Sequence, residues 1–166
     1  MTKYLEGLEK GDYVEFRGPK GAMRYTNRYS KNIAMIAGGT GITPMYQLIR
    51  AICLNPSDKT HINLVYANNS ESDILLRAEI DSLVSRFPQK LEVHYVPVNP
   101  PSGWHGSVGF ITEDWVKRAM VQSSPKSRVM LCGPPPMLAA VKNILSALGF
   151  QTPKSVSQME DEVFVF

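Results

Sequence analysis

Seven consecutive residues, Gly38-Gly39-Thr40-Gly41-Ile42-Thr43-Pro44, separate a short apolar run from a helical periodicity. Gly39 and Gly41 lack the Cβ that would keep a ligand away from the backbone. Pro44 suits a first helical turn, where its missing N–H is no loss, and this makes Thr43 the expected N-cap. The unpaired N–H groups and positive dipole end of such a helix offer a seat for a pyrophosphate. The pattern is not Gly-x-Gly-x-x-Gly, because proline stands where the third glycine would be. A second group, Cys132-Gly133-Pro134-Pro135-Pro136-Met137, ends another apolar run in a stiff turn. If both runs are strands of one parallel sheet, the two turns share an edge and Cys132 faces the ligand crevice. Other chemistries find no residues. There is no Ser–His–acid set and no Gly-x-Ser-x-Gly for a hydrolase. Cys53 and Cys132 match no metal spacing, and His61, His94 and His105 form no ligand pair, so no metal is expected.

The surrounding pattern supplies elements to hold these turns. Ile33 to Ala37 is too short an apolar run for a helix and reads as a buried strand. Met45, Leu48, Ile49 and Ile52 then mark one face of a helix. Strands follow at Ile62 to Ala67, Leu91 to Val98 and Val129 to Cys132, with a last one at Val163 to Phe166. Helix faces follow at Leu76 to Phe87, after Thr112, and from Met137 to Leu148, the last ended by Gly149. This alternation predicts an α/β fold: a doubly wound, mostly parallel Rossmann-like sheet with helices on both faces and ligands beyond the carboxyl ends of its strands. The first residues fit it poorly. Tyr13 to Phe16 reads as a short strand closed by a turn at Gly18 to Gly21, the tail of a β-rich unit. The expected division is residues 1–28 as that tail and its linker, and residues 29–166 as the nucleotide-binding domain.

Composition narrows the classes further. The 166 residues are 43% hydrophobic and 20% charged, which suits a globular domain and excludes disorder. The longest uncharged run is broken by Gly38, Gly39, Gly41 and Pro44, so it is no membrane span. No signal peptide is read, and the two cysteines give no disulfide framework. The chain is expected to be soluble and cytoplasmic. Its net charge of +3 comes from residues 1–31, where seven Lys or Arg meet four acids. That excess has no interleaved aromatics, so no nucleic-acid partner is expected. Trp104, Trp115 and most methionines are expected to pack.

Taken in order, the two turns, Tyr66-Ala67-Asn68, Asp73-Ile74-Leu75-Leu76-Arg77, Pro100-Pro101 before Trp104, Gly109-Phe110 and the terminal Val163-Phe164-Val165-Phe166 form a set. This set resembles the NADH-cytochrome b5 reductases, in particular fungal ones, within the ferredoxin–NADP reductase superfamily. The resemblance implies that Gly39, Thr40, Gly41, Thr43 and Pro44 cradle NADH, with Thr40 near the nicotinamide and Thr43 reaching the flavin. It implies that Cys132 orients the nicotinamide for hydride transfer to FAD, in a pocket shaped by Gly133, Pro134 and Met137. Cys132 and Thr40 are thus the expected catalytic pair. Tyr66, Ala67, Asn68 and Asp73 match the adenosine side, and Phe110 an aromatic position beside the adenine. Met1 and Thr2 resemble the end of a segment that contacts the flavin phosphates. Arg24-Tyr25-Thr26 is similar to a flavin motif but lies in the linker. Val98 stands where the family carries an acid or amide that selects NADH. NADH is therefore expected and NADPH left open, with Asn99 as a substitute selector.

The resemblance also implies the wider setting. Most of the FAD-binding β-barrel domain is missing, so the chain reads as the pyridine-nucleotide half of a longer enzyme, preceded by a short barrel remnant. The implied electron acceptor is cytochrome b5 or a related haem domain. The full-length protein is expected at the cytoplasmic face of the endoplasmic reticulum or the mitochondrial outer membrane, with no membrane contact from this chain. The alternatives are the same module of a nitrate reductase, or a stand-alone nucleotide-binding module without redox activity. Retention of Cys132 speaks against the last.

Overall fold

The computed structural model describes residues 2–18, 20–120, 127–151, 153–154 and 156–166. A helix α1 (Thr2–Glu6) comes first, then strand β1 (Asn32–Gly38) and helix α2 (Ile42–Leu54), joined by a 3-10 turn over Gly39–Gly41. The chain continues with β2 (His61–Ser70), α3 (Arg77–Arg86), β3 (Leu91–Asn99) and α4 (Glu113–Ala119). It ends with β4 (Arg128–Cys132), α5 (Pro135–Ala147) and β5 (Val163–Val165). The five strands form one sheet in the order β3-β2-β1-β4-β5, and every pairing is parallel. The expected α/β sheet is therefore the one observed.

β1 is central because it is apolar on both faces, as a strand covered from two sides must be. Ile33, Met35 and Ala37 join the core with α2 and α3, while Ala34 and Ile36 join the core with α4 and α5. The chain order reverses direction between β1 and β4, so their carboxyl ends form the switch point at which such sheets hold ligands. Lys90 secures the far end of α2. Its Nζ donates to the carbonyls of Ile52, Cys53 and Asn55 at 3.0, 3.4 and 2.8 Å, meeting the helix's unpaired oxygens with a cation. Replacing Lys90 with methionine keeps most of the stem and removes these bonds. We expect a loss of about 1–2 kcal/mol in urea unfolding; an unchanged midpoint would show the cap to be idle.

The amino-terminal stretch departs from expectation. No strand forms at Tyr13 to Phe16, and their rings are 96% and 79% exposed at Tyr13 and Phe16. Among the described residues no neighbouring strand reaches this segment, and an isolated strand leaves its backbone groups without partners. No barrel remnant is seen among the described residues, and Pro19, within the expected turn, lies outside them. The linker, by contrast, is fastened. Tyr25 donates its hydroxyl to Asp58 Oδ2 at 2.8 Å, and Thr60 donates to the Ser30 carbonyl at 2.9 Å. Burial works against the Asp58 carboxylate, but hydrogen bonds from Thr60 and Tyr25 and the nearby Lys90 outweigh it and hold its pKa below the usual value. Tyr25 is thus committed to this network, whatever motif its neighbours resemble.

Candidate functional site

The two turns meet at the carboxyl edge, backbone against backbone. A Cβ on Gly41 would overlap the Cys132 carbonyl and stand 2.9 Å from the Gly133 nitrogen. One on Gly38 would stand 2.6 Å from Met137 Sδ, and one on Gly133 would stand 2.5 Å from Met137 Cε. Gly41 must therefore be glycine because the two turns meet backbone to backbone, while at Gly38 and Gly133 the neighbour is the flexible end of Met137. The close approach of Cys132 and Gly133 is thus a reason for glycine at Gly41 separate from the expected approach of a ligand. Gly39 is the open position. Its φ of +52° favours glycine, and nothing lies within 4 Å of where its Cβ would be.

The start of α2 also differs from expectation. Gly41 is the N-cap, Ile42 the first helical residue, and the 3-10 turn takes the place assigned to Thr43. Thr43 lies inside the first turn and donates its hydroxyl to the Thr40 carbonyl at 3.1 Å. Pro44 falls third in the helix, still among positions whose N–H has no helical partner. The exposed Thr40 sits at the turn's outer corner.

Beside the interlocked turns opens a crevice of about 540 Å³. Of the residues singled out from sequence, Gly39, Ala67, Asn68, Asp73, Phe110, Pro134 and Met137 line it. Its walls are mainly apolar, and Phe110 stands at its margin 76% exposed, its face free to meet a flat ring. Among the described residues, Asp73 is the one ionisable group on the walls, and its Oδ2 accepts the Ser70 N–H at 2.9 Å and hydroxyl at 2.6 Å. Asn68 is only 6% exposed, and neither polar atom of its side chain has a hydrogen-bond partner among the described residues. Buried amides are rarely left so, and this one stands at the wall of the crevice.

Gly38, Gly109 and Pro136, each within a motif quoted from the sequence, also line it, whereas sequence reasoning missed Asn69, Ile111 and Ala140. Ala140 follows Met137 by one helical turn, so helix spacing could have found it. The others carry no signal of their own type. Val98 does line the crevice, whereas Asn99 turns its amide to Asn69, donating to Oδ1 at 3.0 Å.

Thr40, Gly41, Thr43, Pro44, Tyr66, Cys132 and Gly133 are not on these walls. Cys132 was expected to face the crevice. Alternation along β4 instead sends Val129 and Leu131 toward α5, and Met130 and Cys132 to the α2 side. Burial pushes the Cys132 thiol up, so it is a neutral thiol at pH 7. On that same side Phe164 is buried, with the Phe166 ring 4.9 Å from it. Tyr66 is fully buried beneath the turn. Met1 lies outside the described residues, and Thr2 begins α1. Among the described residues, no helix is long and apolar enough to cross a membrane.

Such a site can hold a flat heteroaromatic ring in an apolar slot. It can also hold a connected anion against the Gly39 turn and the start of α2. Residues 35–143 match the oxidoreductase NAD-binding domain family. NADH-cytochrome b5 reductase 1 of Candida albicans is 49% identical over 166 residues, covering 100% of this chain and 56% of that protein. Its counterpart in Scheffersomyces stipitis is also 49% identical, with 100% and 58% covered. The crystal structure of the cytochrome b5 reductase domain of Ulva prolifera nitrate reductase superposes with a TM-score of 0.87 at 43% identity, covering 99% of this chain and 63% of that one. The chain thus spans a little over half the length of these two curated relatives.

Proposed function

The chain belongs to the oxidoreductase NAD-binding domain family, and on that premise we propose that it is the NADH-binding half of a flavin-dependent reductase of the cytochrome b5 reductase type. The observation that carries this reading is the open Gly39 turn beside an apolar crevice holding the unpartnered Asn68 amide. In this reading the adenine lies in the crevice against Phe110, with Asn68 completing its hydrogen bonds on the ligand. The pyrophosphate rests on the Gly39 turn and the start of α2, whose N–H groups and dipole favour an anion. The nicotinamide end passes over Thr40 to the Cys132 side, where a neutral thiol acts by contact and not by charge. Bound NADH supplies a hydride, and this chain's residues supply position and exclusion of water.

FAD belongs to the complete protein in this proposal. We assign residues 1–28 to the junction with that flavin-binding neighbour, which the exposed Tyr13 and Phe16 rings support. Cytochrome b5 or a related haem domain is the proposed acceptor, in line with what the two fungal relatives are called. The cytoplasmic face of the endoplasmic reticulum or mitochondrial outer membrane is the proposed location of the whole protein. A nitrate reductase module is the second reading, favoured by the Ulva prolifera likeness, and it uses the same site.

Titration of the chain with NADH and NADPH, followed by nucleotide fluorescence, tests the proposal. NADH should bind saturably. NADPH should bind about tenfold or more weakly, because among the described residues the walls carry the Asp73 carboxylate and no Lys or Arg to meet a 2′-phosphate. Absence of saturable NADH binding would remove the reading, and equal affinities would remove the selectivity argument.

A further inference from the structure

The Gly39 turn is composed of residues that set its shape weakly. Two glycines precede Thr40 and one follows it, so the peptide between Gly39 and Thr40 is free to rotate unless something holds it. Two groups do. The Ile42 N–H closes the 3-10 turn onto the Gly39 and Thr40 carbonyls. From the other side, Tyr66 donates its hydroxyl to the Gly39 carbonyl at 3.0 Å, across a separation of 27 residues.

Tyr66 occupies an unusual place for a tyrosine. It lies in the middle of the parallel sheet, paired in register with Ala37 on β1 and Tyr95 on β3, and no part of it is exposed. A phenylalanine would serve the packing equally well, so the hydroxyl calls for its own account. Burial pushes its pKa up, with the Leu75 backbone N–H and the nearby Asn68 amide offsetting part of the effect, so it remains a protonated donor across the physiological range.

We propose that Tyr66 is a positioning residue for the phosphate-binding turn: its hydroxyl holds the Gly39 carbonyl toward the protein interior and thereby turns the Thr40 N–H outward to the anion. The second half follows from the peptide plane. In a trans peptide the C=O and the next N–H point in opposite directions, so fixing one aims the other. A rotated peptide would present a carbonyl oxygen to the phosphates, and like partial charges would repel. The hydroxyl thus acts on the ligand through the backbone, without touching it. This inference rests on the dinucleotide reading and adds to it a residue hidden behind the site.

The test compares wild type and Tyr66→Phe as complete chains, titrated with NADH and separately with adenosine, followed by amide NMR. The variant keeps the ring and loses only the hydroxyl. NADH affinity should fall about three- to tenfold, the range of one lost hydrogen bond, while adenosine affinity stays the same. In wild type, NADH should move the Thr40 amide resonance and adenosine should leave it in place; this arm needs no variant to fold. Equal losses for both ligands, an unchanged NADH affinity or an unmoved Thr40 amide would overturn the positioning role. A wild-type chain that binds neither ligand would overturn the dinucleotide reading itself and this role with it.

Discussion

Gly41→Ala should cost the chain about 3 kcal/mol or more of stability and take NADH binding with it. The added methyl would lie inside the Cys132 carbonyl and within 2.9 Å of the Gly133 nitrogen. Both obstacles are backbone, so no side-chain rotamer can relieve the overlap, and the loss falls at the upper end for overpacking. The turns would have to separate, and they are the ends of two hydrogen-bonded strands in which Ala37 pairs with Cys132. Urea unfolding gives the stability, and an NADH titration of the soluble fraction gives the binding. A variant with wild-type stability would show that the turns do not interlock. The sequence suggested a different failure at this position, a blocked approach of ligand to backbone. Stability separates the two, since a blocked ligand leaves the fold intact.

Gly39→Ala should do what Gly41→Ala cannot, removing binding from a chain that still folds. No atom lies within 4 Å of the new methyl, so the stability loss is limited to the left-handed conformation, about 1–2 kcal/mol. The methyl would project into the open space that we propose the phosphates occupy, and NADH affinity should drop by about tenfold or more, since a blocked contact of about 1.4 kcal/mol already gives that factor. Circular dichroism and urea unfolding would confirm the fold while fluorescence follows the nucleotide. Undiminished affinity in a folded Gly39→Ala chain would move the anion away from this turn. Together the two glycines, two residues apart, separate architecture from recognition.

Their difference marks how far the sequence can be read. Strands such as β1 and β4 were legible within a residue or two, because a strand covered on both faces must be a continuous apolar run. The helix faces of α2 and α5 were legible from spacing. The roles of individual glycines were not. Gly41 is constrained by Cys132, which lies far along the chain, and no local pattern records that contact. Tyr13 to Phe16 misled for the same reason: alternation and β-forming residues describe a willing strand, but a strand also requires a neighbour. The crevice was half legible. Asn68 and Phe110 came from resemblance, whereas Asn69 and Ile111 became visible only when β2 and the segment before α4 were brought together. Tyr66 was singled out in the sequence, but its bond to the Gly39 carbonyl was not legible, since a hydroxyl reaching back under a turn leaves no periodic trace.

The strand order has a consequence for how the chain comes into being. β1 is made early, and one of its edges is completed by β2 soon after. The other edge waits for β4, which is synthesised only after β2, α3, β3 and α4. During that interval an apolar strand edge is unpaired, the kind of surface that recruits other chains. The site has the same schedule, because Gly41 has no counterpart until Cys132 and Gly133 exist. A ligand that needs both turns therefore stabilises only the completed sheet and gives nothing to partial folds. In a cell, the available nucleotide would act as a selective reward for finishing, pulling the last strand into the gap that the first one left open.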